Sequence, residues 1–142
     1  MNRMIFVNLP VKDLKASMAF FQALDWSFNP DYTDENAACL ILSDTIYVML
    51  LKEDFYKSFT HKEIPDTKTH SEVILAISAD SRNDVDLLVD KAFAAGATHY
   101  NEPQVYDFMY SRSFQDPDHH LWEVVYMEEV KPEEVKPEEV KQ

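Results

Sequence analysis

Glu72 and Glu123 are the side chains of this sequence best suited to chemistry. Each stands in a short alternating apolar stretch, Glu72 to Ser78 and His120 to Met127. Side chains along a strand point to opposite faces in turn. Glu72, Ile74 and Ala76 therefore share one face, and Leu121, Glu123 and Val125 share a face of the same parity. A carboxylate among apolar neighbours suits a general base or acid. If two such groups approach each other, one holds its proton near neutral pH. The plainer reading is that each pairs with a cation or sits at a wet rim. His70 shares the parity of Glu72. His61, His99, His119 and His120 show no HxxxH or HxH spacing, and the last two are expected to be exposed. Cys39 reads as a buried thiol. With Gly96 as the one glycine, no phosphate-cradling glycine loop is possible.

A turn centred on Pro117-Asp118 pairs residue 116 with 119, 114 with 121, and 112 with 123. Arg112 then stands opposite Glu123, as a cross-strand ion pair or as a clamp for an anionic ligand. The same register puts Phe108, Tyr110 and Phe114 on one face with Phe6, Asn8, Tyr47 and Met49. An aromatic wall with a few polar groups suits a planar or apolar small molecule. The plainer alternatives are ordinary core, the commoner use of aromatics, and a dimer interface.

The elements that must position these groups follow from periodicity. Ile5 to Val11 alternates as a strand. Asp13 is an N-cap for a helix from Leu14 to about Leu24, with Met18, Phe21 and Leu24 at helical spacing. Strands follow near Trp26 to Tyr32, Ala37 to Leu42 and Thr45 to Leu51, and Lys52 to Asp66 reads as a loop with a helical turn. The pattern then restarts. Glu72 to Ser78 is a strand, and Asp80 or Ser81 caps a helix ended by Gly96. Tyr100 to Tyr106, Phe108 to Gln115 and His120 to Met127 are strands. The result is an α+β chain of two βαβββ modules, about 1–60 and 70–127, in one domain ending near Met127. Ile5, Val7, Leu9 and Val11, with Ile46, Val48 and Leu50, and with Trp122, Val124 and Tyr126, form a nearly pure apolar face that should pack on the helices.

Residues 128–142 repeat the letters EEVKP and read as a disordered, solvated tail whose removal should leave the melting temperature unchanged. The net charge of -13 argues against nucleic-acid binding, which needs basic counter-charge. No apolar run is long enough to span a membrane. The first residues lack the apolar region of a signal peptide, and one cysteine cannot form an intrachain disulfide, so a cytoplasmic protein is expected.

Two segments resemble a known family. Val11-Lys12-Asp13-Leu14-Lys15-Ala16-Ser17-Met18-Ala19-Phe20-Phe21 is similar to the V-x-D-L-x-x-S-x-x-F-Y opening of glyoxalase and bleomycin-resistance proteins. Asp116-Pro117-Asp118-His119-His120-Leu121-Trp122-Glu123 is similar to their D-P-D-G-x-x-x-E ending, with His119 at the usual glycine. The resemblance covers residues 1 to about 127 and implies the vicinal oxygen chelate superfamily, close to bacterial predicted lactoylglutathione lyases. It implies cupped mixed sheets, completed by a second half or by a second subunit as a homodimer. It also implies a divalent metal held at positions that carry over to Phe6, Met49, Glu72 and Glu123. Two of these are not ligands for a hard ion, so no metal and no other cofactor are expected. The expected function is binding of a small organic molecule in the cup, with Phe6, Asn8, Tyr47, Met49, Tyr110, Arg112 and Phe114 as ligand contacts. The alternatives are a metal-dependent lyase or isomerase of the lactoylglutathione lyase type or a dioxygenase-like enzyme, with Glu123 and Glu72 catalytic, and a degenerate partner subunit.

Overall fold

The computed structural model describes residues 1–129; most of the EEVKP repeat lies outside the described residues. Strand β1 (Ile5–Val11) leads into helix α1 (Leu14–Ala23), then β2 (Ser27–Phe28), β3 (Ala37–Ile41), β4 (Ile46–Lys52) and the short α2 (Glu53–Lys57). The second module runs β5 (Ile74–Ser78), α3 (Arg82–Ala94), β6 (Gln104–Val105), β7 (Met109–Gln115) and β8 (Leu121–Met127). Each module builds one mixed four-stranded sheet, ordered β1-β4-β3-β2 in the first and β5-β8-β7-β6 in the second. In both, the first and last strands pair in parallel, β1 with β4 and β5 with β8, and the other pairings are antiparallel. This is the α+β arrangement of two βαβββ units.

Local chemistry sets the helix limits. The Asp13 carboxylate accepts the Ala16 N–H and the Ser81 hydroxyl accepts the Asp84 N–H, satisfying donors that a helix start leaves open. Gly96, at φ 110°, follows α3 in a conformation that glycine adopts without strain. Proline shortens two of the expected strands. Pro30 turns the end of the first into a 3-10 turn over Pro30–Tyr32, capped by Asn29. Pro103 precedes the two-residue β6, where a strand from Tyr100 was expected.

One core serves both modules. Leu9, Val11, Val48 and Leu50 from one sheet and Trp122 and Val124 from the other close on Phe20, Phe21, Val85 and Val89 of the helices. Phe21 lies 5.5 Å from Trp122, and Phe20 lies 6.0 Å from Phe114, ring centre to ring centre. The apolar face therefore packs on the helices as alternation requires. The other face of each sheet turns away from this core. No described helix is long and apolar enough to cross a membrane.

The β7–β8 hairpin corrects the expected register. Arg112 pairs with Val124, Ser113 with Glu123 and Phe114 with Trp122, one residue away from the expected alignment. The cause is the turn. Asp116 pairs with His120 across the turn (Asp116 N–H to the His120 carbonyl, 3.1 Å) while its own carbonyl accepts the His119 N–H at 2.9 Å, which leaves a three-residue loop, and His119 takes φ 62°. A three-residue hairpin loop ends in a left-handed residue, the place where the resembling family has glycine. A slip of one residue moves every side chain of a strand to the other face.

Candidate functional site

The slip removes three expected contacts from the open face. Phe114 is 0% exposed and stacks on Trp122 in the core. Tyr110 donates its hydroxyl to Asp86 at 2.6 Å. Arg112 donates through Nη1 to Asp86 and to Asp90, each at 2.9 Å. Tyr110 and Arg112 therefore serve the interface between β7 and α3, and Phe114 serves the core beside Trp122 and Phe20. The Tyr110 hydroxyl, with the Arg112 guanidinium, holds the Asp86 carboxyl below its ordinary value. Burial first, and Asp86 second, push the Tyr110 hydroxyl up. Arg112 is neither the partner of Glu123 nor a clamp for a ligand. Phe108 stacks on Tyr106 at 5.8 Å in the exposed β6–β7 connection.

Glu123 stays on the open face of the second sheet. Its register partners are Ser113 on β7 and Ala76 on β5. Tyr100 completes this group: burial pushes its hydroxyl above the ordinary value and the Glu123 charge adds to the effect. Glu72 is elsewhere. It precedes β5 and stands four residues before Ala76, roughly 13 Å of extended chain from the row that holds Glu123. The two carboxylates do not form a pair.

Glu72 instead lines a cavity of about 390 Å³ beside the outer edge of β1, with Asn8, Tyr56, His70, His119 and Leu121. His120 also reaches this cavity, and its expected exposure is corrected: it is 7% exposed, and Nε2 donates to the Pro10 carbonyl at 2.7 Å. Beside it the Asp118 carboxylate accepts the Lys12 N–H at 2.9 Å and the Ser17 hydroxyl at 2.7 Å, and its carbonyl accepts the Thr67 hydroxyl at 2.6 Å. The Asp116–His120 turn is thus stitched to the β1–α1 junction. Asp116 is buried, and it accepts from the Trp122 indole at 3.0 Å and from the backbone N–H groups of Asp118 and His120. Burial drives its carboxyl above the ordinary value.

The open face of the first sheet carries a second cavity, of about 430 Å³. Phe6 and Tyr47 are register partners whose rings stand parallel at 5.0 Å and 11°. The Tyr47 hydroxyl donates to the Asp44 carbonyl at 2.8 Å, which fixes that ring. Asn8, Met49 and Cys39 are paired across β1, β4 and β3, and all three line this cavity with Met4, Asn29 and Tyr32. Sequence reasoning had placed Phe6, Asn8, Tyr47 and Met49 here. It missed Cys39, whose face shows only once β3 is paired with β4, and Asn29 and Tyr32, which lie at the 3-10 turn beyond β2, where alternation no longer applies. Burial pushes the Cys39 thiol up, so it is a thiol and not a thiolate nucleophile.

The four positions that the resemblance assigns to a metal do not make a donor set for a hard divalent ion. Phe6 has no donor, Met49 offers a soft thioether, and the two carboxylates lie apart. Among the described residues, no group of three or more His, Cys, Asp or Glu side chains is arranged to hold a metal.

The sequence matches the family model described as Glyoxalase/Bleomycin resistance protein/Dioxygenase superfamily over residues 3–124. No curated protein matches it. Among solved structures it is similar to the hypothetical protein SA1046 of S. aureus, at TM-score 0.74 and 25% identity over 89% of this chain and 95% of that one. It is similar to a glyoxalase/bleomycin resistance protein/dioxygenase family enzyme of Burkholderia phytofirmans PsJN, at TM-score 0.73 and 20% identity over 86% and 96%. The fosfomycin resistance protein FosX of Mesorhizobium loti shares the fold at TM-score 0.64 and 15% identity over 89% and 92%.

Proposed function

Since the chain belongs to the Glyoxalase/Bleomycin resistance protein/Dioxygenase superfamily, we propose that it binds a small organic molecule on the open face of its first sheet, without a resident metal. The observation that carries this reading is the cavity of about 430 Å³ lined by Phe6, Asn8, Tyr47 and Met49. It has the size and the mixed lining of small-molecule sites. The donor set at the family's metal positions speaks against metal-dependent lyase or dioxygenase chemistry.

A second copy of the chain completes the cup in this reading. β1 and β5 are the outer strands of their sheets, and Phe6 and Ile74 beside those edges are about half exposed. The β1 edge is only partly blunted: Asn8 takes the Phe6 carbonyl at 3.0 Å and His120 takes the Pro10 carbonyl. Free strand edges flanked by apolar side chains invite pairing. Sedimentation at micromolar concentration should give a dimer, and Ile74→Lys should dissociate it. A monomer would remove the second copy from this reading.

Binding is tested with a panel of neutral aromatic compounds, by thermal shift and equilibrium dialysis in the presence of a chelator. Saturable binding that Tyr47→Ala abolishes is expected. Stoichiometric metal in the purified protein, with metal-dependent turnover of a hemithioacetal that Glu123→Gln abolishes, would overturn the reading in favour of the lyase.

A further inference from the structure

The lining of the first sheet's cavity restricts what can occupy it. None of its lining residues is a carboxylate, ammonium, guanidinium or imidazole. An ion entering there would lose hydration with no counter-charge in return. An anion would also meet the field of a chain whose formal net charge is -13.

What the cavity does offer is two amides at the ends of an apolar row. The row runs Asn8, Met49, Cys39 by strand pairing, and Asn29 extends it through its N–H bond to the Cys39 carbonyl at 2.9 Å. Three strand spacings put Asn8 and Asn29 about 14 Å apart, with two sulfur side chains between them as a polarisable floor. The orientation of both amides is fixed by their other bonds. The Asn8 Nδ2 donates to the Phe6 carbonyl at 3.0 Å, which leaves Oδ1 as an acceptor. The Asn29 Oδ1 accepts the Asp31 N–H at 3.0 Å, which leaves Nδ2 as a donor. The parallel rings of Phe6 and Tyr47 stand over the neighbouring row as a wall.

Resting on the binding function proposed above, we infer that the ligand is an uncharged, planar, fused-ring molecule with a hydrogen-bond donor at one end and an acceptor at the other. It lies flat on Met49 and Cys39, its donor end at Asn8 and its acceptor end at Asn29. Carboxylate, phosphonate and phosphate compounds and glutathione conjugates are excluded from this site.

The test uses two probes of one shape: 2,6-naphthalenedicarboxamide, neutral with donors and acceptors at both ends, and 2,6-naphthalenedicarboxylate, a dianion. Each is titrated into the full chain with a chelator present, following naphthalene fluorescence. The diamide should bind about tenfold tighter than the dicarboxylate. Asn29→Ser keeps an oxygen for the Asp31 N–H but withdraws the amide from the cavity. It should weaken the diamide about fivefold or more at an unchanged melting temperature. Asn8→Leu, which removes the other end, should do the same. Equal or tighter binding of the dicarboxylate overturns the inference, as does diamide affinity that ignores both variants, and so does binding of neither probe. If the dicarboxylate binds and Tyr47→Ala abolishes it, only the neutral-ligand inference fails and the binding function stands. If no member of the aromatic panel binds either, both fail.

Discussion

The open faces of the two sheets make an instructive pair. Both belong to βαβββ units of the same strand order and the same mixture of parallel and antiparallel pairing. Their inner faces are alike, with Leu9, Val11, Val48 and Leu50 in one and Trp122 and Val124 in the other all buried. Their outer faces differ in kind. The first carries stacked rings, sulfur and amides; the second carries Glu123, Ser111, Ser113 and the Tyr100 hydroxyl. The face that packs on the helices is held by the core. The face turned away is free to specialise, so one half has become an uncharged wall while the other retains a carboxylate.

Substitutions on the two faces should separate stability from binding. Trp122→Ala removes a fully buried ring stacked against Phe114 and should cost about 3–5 kcal/mol in urea denaturation. Tyr47→Ala on the open face should cost about 1 kcal/mol or less while abolishing ligand binding. Equal losses of stability would show that the first sheet's open face is core too.

Arg112→Ala comes next. It leaves Asp86 and Asp90 without their shared cation and should cost about 1–2 kcal/mol. Ligand affinity should not change, since Arg112 lies on the helix side. A large loss of affinity at constant stability would return Arg112 to the site.

Acid acts on the same cluster. The carboxyl of Asp86 titrates below its ordinary value in the folded chain, so the stabilisation it brings is full above the unfolded value. That stabilisation is lost as the pH falls through the folded value. Tyr110→Phe removes the largest cause of the shift and should flatten this part of the acid limb in a stability–pH profile. An unchanged profile would remove the Tyr110–Asp86 bond from the account. The smallest effect is expected from His119→Gly, which relieves φ 62° and should raise stability by about 1 kcal/mol. Destabilisation instead would mean that the imidazole contributes more than its backbone strain costs.

The fold was legible because periodicity reports burial. Alternation from Ile5 to Val11 and helical spacing through Met18, Phe21 and Leu24 depend only on which side meets the core. The register of β7 on β8 was not legible, because it depends on the conformation of one residue. With glycine at position 119 the left-handed turn would have announced itself, and Arg112, Tyr110 and Phe114 would have been assigned to the helix side. Histidine there conceals the signal, since non-glycine residues adopt that conformation infrequently. The candidate site was half legible for a similar reason. Phe6, Asn8, Tyr47 and Met49 follow from strands strongly patterned on their own. Asn29 sits just past a two-residue strand, and its place depends on pairing with β3.

The stitch made by Asp118 and His120 bears on how the chain reaches this structure. Lys12 and Asp118 are 106 residues apart, and Pro10 and His120 are 110 apart. Closing such loops carries a large entropic penalty before any contact rewards it, and long-range contacts of this kind slow folding. During synthesis the first module leaves the ribosome with its strand-to-helix junction unsealed, and it stays so until the last hairpin follows. The final native bonds of the N-terminal half therefore wait for the C-terminal half.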